Sequence, residues 1–361
     1  MDFTLDENQR AVADLAAEVL GKELDAERAL GEQGYDEQLW RALAKAGLLS
    51  LALPAELGGD DLGVAELAVL LTELGKAAAP VPALATLALG VLPVNKLGAP
   101  RQRADLLPGA AAGEELLTAA LHEPSAPLTE HPATTASSSG GRWVLSGTKI
   151  AVPFASAATR ILVPATMPGG TGVFLVSPAA EGVVLVPATG NGYTVRLDGA
   201  AVEDADLLGS ERKGEALAVL HRYALAGAVA FGDGVLAGAL RLTTDHVGAR
   251  EQFGRPLATF QAVAQQVADV YVAARTVHLA ATSAVWRLGT GLDPEPDLGI
   301  AAYWLAEEAP RALAACHHLH GGLGLDVTYP LHRYYALAKD LATQVGGARG
   351  RLDRLGELVA G

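Results

Sequence analysis

Apolar positions in the first third of the chain recur at three- and four-residue spacing, the period of a helix packed on one face. Val12, Leu15 and Leu20 form one such group, and Thr4-Leu5-Asp6-Glu7 ahead of it has the spacing of a capping box. Leu39, Trp40 and Leu43 form a second, with Asp36 placed to cap its start and Gly47 to end it. Beyond the turn-rich Leu53-Pro54-Ala55-Glu56-Leu57-Gly58-Gly59, a third helix is predicted from Val64 to Leu74. A further helical stretch runs from Arg101 to Leu107 and stops at Pro108-Gly109. Near Leu116 the pattern changes. Short apolar runs (Leu116–Leu121, Trp143–Val152, Ile161–Val163, Val173–Val176, Val183–Val186, Tyr193–Leu197) alternate with Gly, Pro, Ser and Asn. They predict a small β-barrel or sandwich of about a hundred residues, with Ser137-Ser138-Ser139-Gly140-Gly141 as a polar hairpin tip. After Glu211 the helical period returns in long segments, Glu215–Val247, Gln261–Leu288, Ile300–His318 and Arg333–Val345, broken at Gly289-Thr290-Gly291-Leu292-Asp293-Pro294. These suit a four-helix bundle. The fold class is therefore α+β and multidomain: an N-terminal helical domain (1–115), a middle β-barrel or sandwich (116–210) and a C-terminal four-helix bundle (211–361).

Composition sharpens this picture. Half of the 361 residues are apolar and only 5% aromatic, which favours helices and a sizeable core. The net charge of −14 argues against nucleic acid as a partner. Any site for an anionic ligand needs a local basic patch against that field. The single cysteine, Cys316, excludes an intrachain disulfide framework and fits a cytoplasmic protein; its pattern is that of a small buried helix residue. The acidic start, Met1-Asp2-Phe3-Thr4-Leu5-Asp6-Glu7, lacks the basic and apolar regions of a signal peptide. The long uncharged run between Lys76 and Lys96 is interrupted by Pro80, Pro82 and Pro93, and reads as a buried helix with its loops, not a membrane segment.

Two stretches carry candidate chemistry. The first is Arg250-Glu251-Gln252-Phe253-Gly254-Arg255-Pro256-Leu257, followed by Phe260-Gln261. A guanidinium such as Arg250 matches a pyrophosphate; a cation closing a helix is the plainer reading. The second is His318-Leu319-His320-Gly321-Gly322-Leu323-Gly324 and then Tyr329-Pro330-Leu331-His332-Arg333. Gly321 and Gly322 can cap a helix and also let backbone N–H groups approach a ligand. His318 and His320, two apart, fall on different helix faces, so no metal site is expected.

Together these stretches resemble the flavin-binding signature of the acyl-CoA dehydrogenase family. The order of helices, β-domain and helices is similar to that family. So are Phe3-x-Leu5-x-Glu7-x-Gln9 and the run from Trp40 through Gly47 to Leu53-Pro54-x-x-x-Gly58-Gly59, and the likeness spans nearly the whole chain. The resemblance implies FAD as cofactor and an acyl-CoA thioester as substrate. The implied reaction is α,β-desaturation, in which a carboxylate takes the α-proton and the flavin a β-hydride. It also implies Arg250, Gln252, Phe253, Gln261, His318, Gly321 and Gly322 as flavin contacts, and Arg222 as a substrate-side arginine.

The departures from that pattern are as informative. Family members hold the flavin ring with a Thr-Glu-Pro-x-x-Gly-Ser loop; here the equivalent is His122-Glu123-Pro124-Ser125-Ala126-Pro127-Leu128. Proline has no N–H to donate and leucine no hydroxyl. In Gly147-Thr148-Lys149-Ile150-Ala151-Val152-Pro153, Ala151 stands for a ring-flanking tryptophan and Pro153 for a threonine. The two usual places for the catalytic glutamate are occupied by Val345 and Ala224, neither of which takes a proton. Glu215 and Asp233, the nearest carboxylates, read as solvated or capping acids. The surviving elements are those that reach a partner's flavin across an interface. The chain thus resembles the non-catalytic subunit of actinobacterial heteromeric acyl-CoA dehydrogenases of steroid degradation. The implied partner is a homologous catalytic subunit, with no nucleic acid and no membrane. The alternatives are a self-sufficient homomeric flavoenzyme and a flavin-free interaction protein.

Overall fold

The computed structural model describes residues 3–25, 27–209 and 214–360. Met1 and Asp2 of the acidic start, and the expected domain boundary at 210–211, lie outside the described residues. In chain order the elements are helices α1 (Glu7–Glu23), α2 (Glu37–Lys45), α3 (Val64–Lys76), α4 (Leu92–Leu97) and α5 (Pro100–Ala111); strands β1 (Leu117–Ala119), β2 (Thr135–Ser139), β3 (Arg142–Pro153), β4 (Arg160–Met167), β5 (Gly170–Val176), β6 (Val183–Pro187) and β7 (Gly192–Glu203); helix α6 (Glu215–Ala249); the two-residue strands β8 (Glu251–Gln252) and β9 (Arg255–Pro256); and helices α7 (Gln261–Gly289), α8 (Glu295–His320), α9 (Leu331–Gln344) and α10 (Gly347–Ala360). This is the α+β order expected: helices, a seven-stranded β region, helices.

Several boundaries differ from the sequence expectation for physical reasons. The first capping box is Asp6 with Gln9, each side chain bonded to the other's backbone N–H, rather than one starting at Thr4. Asp36 caps α2 as expected, accepting from Leu39 N at 3.0 Å. Helix α5 continues through Pro108 to Ala111 instead of stopping there. The uncharged stretch after Lys76 contains a buried π-helical segment, Leu84–Val91, leading into α4. The serines expected at a hairpin tip belong to β2, and the tip itself is Gly140-Gly141, both left-handed (φ 59° and 82°). Helix α10 follows Gly346-Gly347 and was not expected.

The chain forms two compact units. The first comprises residues up to Arg28, Ala68–Ala79 and the chain from Ala228 onward; the second comprises Ala29–Leu67 and Pro80–Gly227. In the second, the strand order is β1-β4-β2-β3-β7-β6, with β5 paired to β4. Its core includes Trp143, Leu145, Ile161, Val163, Phe174, Val195 and Leu197, all buried. Trp143 stacks at a tilt on Phe174 with centroids 5.8 Å apart, and donates its indole N–H to Asp204. Each such side chain contributes on the order of 1.5–3 kcal/mol by leaving water.

In the first unit, glycines bring backbones together. A Cβ at Gly234 would collide with the Thr72 carbonyl, one at Gly238 with that of Lys76, and one at Gly75 with that of Phe231. Helix α6 is long and apolar enough to cross a membrane by length and composition, but 83% of its apolar window is buried within the protein.

Candidate functional site

In the first unit, α6 ends one turn after His246: the Arg250 N–H donates to the His246 carbonyl at 2.8 Å. The chain then makes the β8–β9 hairpin, with Glu251 opposite Pro256 and Gln252 opposite Arg255. Its two turn residues, Phe253 and Gly254, both have positive φ (54° and 76°). This is the backbone of a two-residue turn that favours Asn-Gly or Gly-Gly. A bulky aromatic at the first position is strained, at a cost of roughly 1–3 kcal/mol. Phe253 is nevertheless 92% exposed, in edge contact with Phe260 at 6.1 Å. The Arg255 guanidinium lies over the Phe260 ring at 4.1 Å. Arg250, Gln252 and Gln261 are exposed around it. Neither packing nor turn preference accounts for an aromatic at this tip.

The end of α8 meets the end of α6. The rings of His320 and His246 stack with centroids 4.4 Å apart, nearly parallel at 18°. His320 Nδ1 donates to the Cys316 carbonyl at 2.8 Å, because a carbonyl only accepts. In the neutral ring, Nε2 is therefore the acceptor for the Tyr329 hydroxyl, 3.1 Å away. Burial holds His320 below the usual imidazole range. Burial, with the charges of His320 and Arg250, lowers His246 too. The next residues, Gly321 (φ 57°) and Gly322, are exposed, and a Cβ on either would meet only open space. His318 is exposed in the last turn of α8. The stack thus joins the helix ends that carry Arg250 and Gly321-Gly322, an exposed guanidinium on one and glycines with no side chain on the other, the Gly321 N–H donating to the His318 carbonyl. His246 was missed from sequence, and Tyr329 was noted only as part of its motif; the signal available for His246 was its place one helical turn before Arg250.

The second unit holds a different centre. The Glu123 carboxylate accepts from the N–H groups of Ala133 (2.6 Å) and Thr134 (2.9 Å) and from Lys149 Nζ (2.7 Å), with Glu123 and Lys149 side chains 3% and 1% exposed. Burial opposes the carboxylate's charge, but the Lys149 and Thr134 bonds outweigh it and pull the group down to about 2. Burial lowers the Lys149 ammonium, partly offset by Glu123. Around this pair the backbone is strained. Ser125, Leu128, Ala151 and Phe154 have φ of 61°, 48°, 52° and 51°, four of the seven non-glycine residues with positive φ among the described residues. The Ile150 N–H donates to the His122 carbonyl, tying the two segments together.

The remaining sequence candidates are placed as follows by helix and burial. Val345 is fully buried where α9 ends, and Ala224 is 6% exposed on α6. Arg222 is half-buried on the same helix. Glu215 is exposed in the first turn of α6. Asp233, expected as a solvated or capping acid, is instead 8% exposed and bonded to His278 Nδ1 at 2.9 Å, because α7 packs an imidazole against it. Among the described residues no group of three or more His, Cys, Asp or Glu side chains is placed to hold a metal.

Helices before and after a β region in the chain, an arginine-bearing hairpin with left-handed turn residues and a helix-ending Gly-Gly turn define a class. Residues 6–114 match the acyl-CoA dehydrogenase N-terminal domain, and residues 222–350 match the acyl-CoA dehydrogenase C-terminal domain. The chain belongs to the acyl-CoA dehydrogenase family. It is 46% identical over 360 residues to the acyl-CoA dehydrogenase FadE28 of Mycobacterium tuberculosis, covering 99% of this chain and 98% of that protein. Among solved structures it is similar to a chain of the Tcur3481–Tcur3483 steroid ACAD (TM-score 0.92, 38% identity, 99% of both chains). A chain of the ChsE4–ChsE5 complex from Mycobacterium tuberculosis has the same TM-score at 33% identity, over 100% of this chain and 99% of that one.

Proposed function

We propose that this chain is the subunit without the catalytic base in a heteromeric acyl-CoA dehydrogenase that desaturates a bulky CoA ester such as a steroid side chain, in the cytoplasm. The reading takes residues 1–115, 116–210 and 211–361 as its three domains. The observation that carries it is a contrast in what faces outward. Arg250, Phe253 and the Gly321-Gly322 turn are exposed, while both usual base positions are buried and apolar (Val345, Ala224). The residues present fit the phosphate side of FAD: an exposed guanidinium, and a glycine pair with open space where side chains would stand, which lets a ligand come close to the backbone. They do not offer the usual contacts to its ring. Glu123, the polar survivor of the ring loop, has its oxygens engaged by Ala133, Thr134 and Lys149. Arg250, Gln252, Phe253, Gln261, His318, Gly321 and Gly322 would hold the diphosphate and adenosine end of a flavin whose ring lies in the homologous partner. When bound, that flavin supplies the hydride acceptor. This chain's part is to fix the dinucleotide and exclude water from its end of the pocket. Two similar solved structures, the ChsE4–ChsE5 complex and the Tcur3481–Tcur3483 steroid ACAD, are each named for two components and support the reading.

The test is a visible spectrum. Purified alone, the chain is expected to be colourless; purified with a homologous acyl-CoA dehydrogenase chain of the same organism that forms a complex with it, the complex is expected to be yellow, with one flavin per pair. A yellow lone chain would instead make it a self-sufficient flavoenzyme. No colour in either sample would make it a flavin-free interaction protein.

A further inference from the structure

We infer that His246 and His320 are positioning residues: their stacked rings, locked by Tyr329 and the Cys316 carbonyl, set the spacing between Arg250 and the Gly321-Gly322 turn. Each ring sits one short step from a predicted ligand. His246 offers its carbonyl to the Arg250 N–H, and His320 immediately precedes Gly321. The two helix ends come from distant parts of the chain, and the 4.4 Å stack is the ring contact between them. His320 is 5% exposed with both nitrogens engaged, so the ring has no freedom to tilt without breaking a bond. His332 Nδ1 donates to the Tyr329 carbonyl at 2.8 Å and so fixes the third member from α9.

The neighbouring charges give the arrangement a pH dependence. Just past α6, Arg250 acts on His246, and from α6 Asp245 acts on Tyr329; from α8, His320 acts on His317; from α9, His332 acts on His317. The charges of His320 and Arg250 disfavour protonation of His246, and burial disfavours that of His320 against the opposing pull of the Cys316 and Leu242 backbone. A histidine held below its ordinary range stabilises the folded arrangement above the unfolded value, near 6.5. That contribution is lost as pH falls through and below this value. Two adjacent imidazolium rings repel, so acid parts the helix ends.

The inference rests on the proposed flavin role of Arg250 only for its consequence, and the experiment separates the two. Hydrogen exchange is followed in the full-length chain for peptides covering 247–252 and 321–325. His246→Ala is expected to speed exchange in both segments by roughly threefold to tenfold, the size of one aromatic pair contact. His246→Phe keeps a stacking ring without a titrating one. It is expected to leave both segments near wild type at pH 7.5 and to remove most of the acceleration that wild type shows at pH 5.5, after correction for intrinsic rates. Exchange changed in 247–252 alone, or an acid response unaltered by His246→Phe, overturns the positioning role. If both segments respond together while Arg250→Ala leaves flavin retention in the co-purified complex unchanged, the positioning pair stands and the flavin reading of the hairpin falls.

Discussion

The Glu123–Lys149 centre and the Arg250–Gly322 edge are built on opposite principles. In the first, the charges are buried, every carboxylate oxygen has a donor from the same unit, and four left-handed residues surround them. In the second, the arginine, the strained aromatic and the glycines all point to solvent. The first is satisfied internally; it stabilises a shape. The second leaves its binding capacity unspent within its own unit, as expected of a surface that works on a neighbour. On the function proposed above, their difference marks the half of the cofactor's contacts assigned to this chain.

The most disruptive way to probe this contrast is Lys149→Met, which leaves the buried Glu123 carboxylate uncompensated. A loss of about 3–5 kcal/mol in urea unfolding is expected. Glu123→Gln combined with Lys149→Met should recover part of it, and a purely additive double variant would deny the coupling. The same pair predicts the acid limb. Glu123 has its folded value depressed from 4.5 to about 2, so its stabilisation is present above 4.5 and lost as pH falls towards 2. The wild-type urea midpoint should drop across that window more steeply than that of Glu123→Gln.

On the other side of the comparison, Arg250→Ala should leave the urea midpoint unchanged. It should weaken flavin retention by the complex roughly 10- to 100-fold, the range for a charged hydrogen bond of about 1.5–3 kcal/mol, measured by release of fluorescent flavin on dilution. Phe253→Gly relieves a strained φ, so the lone chain should become slightly more stable while association with the partner weakens by about 1–2 kcal/mol, read by calorimetry. Equal association would reduce Phe253 to a misplaced turn residue. The smallest effect is expected from Ala151→Gly, a gain of no more than about 1 kcal/mol in thermal unfolding, since glycine accepts φ 52° without strain. A loss instead would mean that the methyl group packs.

The helical framework was legible because its apolar spacing is regular: Leu39, Trp40 and Leu43 bury as the period demands. Strand β2 was not, because only Ala136 of its five residues is buried and serine carries no periodic signal. Helix α10 was hidden by Gly347, Gly350 and Gly356, residues that normally argue against a helix. In the candidate site, Arg250 and the glycines stood out by motif. The contacts that hold them did not. His246 meets His320, and Glu123 meets Lys149 from 26 residues away, only once the chain has folded. Local sequence cannot report such pairings.

The glycine contacts between α3 and α6 bear on how the chain is made. Gly234 and Gly238 let α6 rest directly on the carbonyls of Thr72 and Lys76, so any larger residue there prises the helices apart. Without that docking, α6, whose length and composition alone would suit a membrane, loses part of its cover. A lapse in docking would therefore surface as capture by chaperones or lipid during synthesis, well before any defect could be seen in the finished protein.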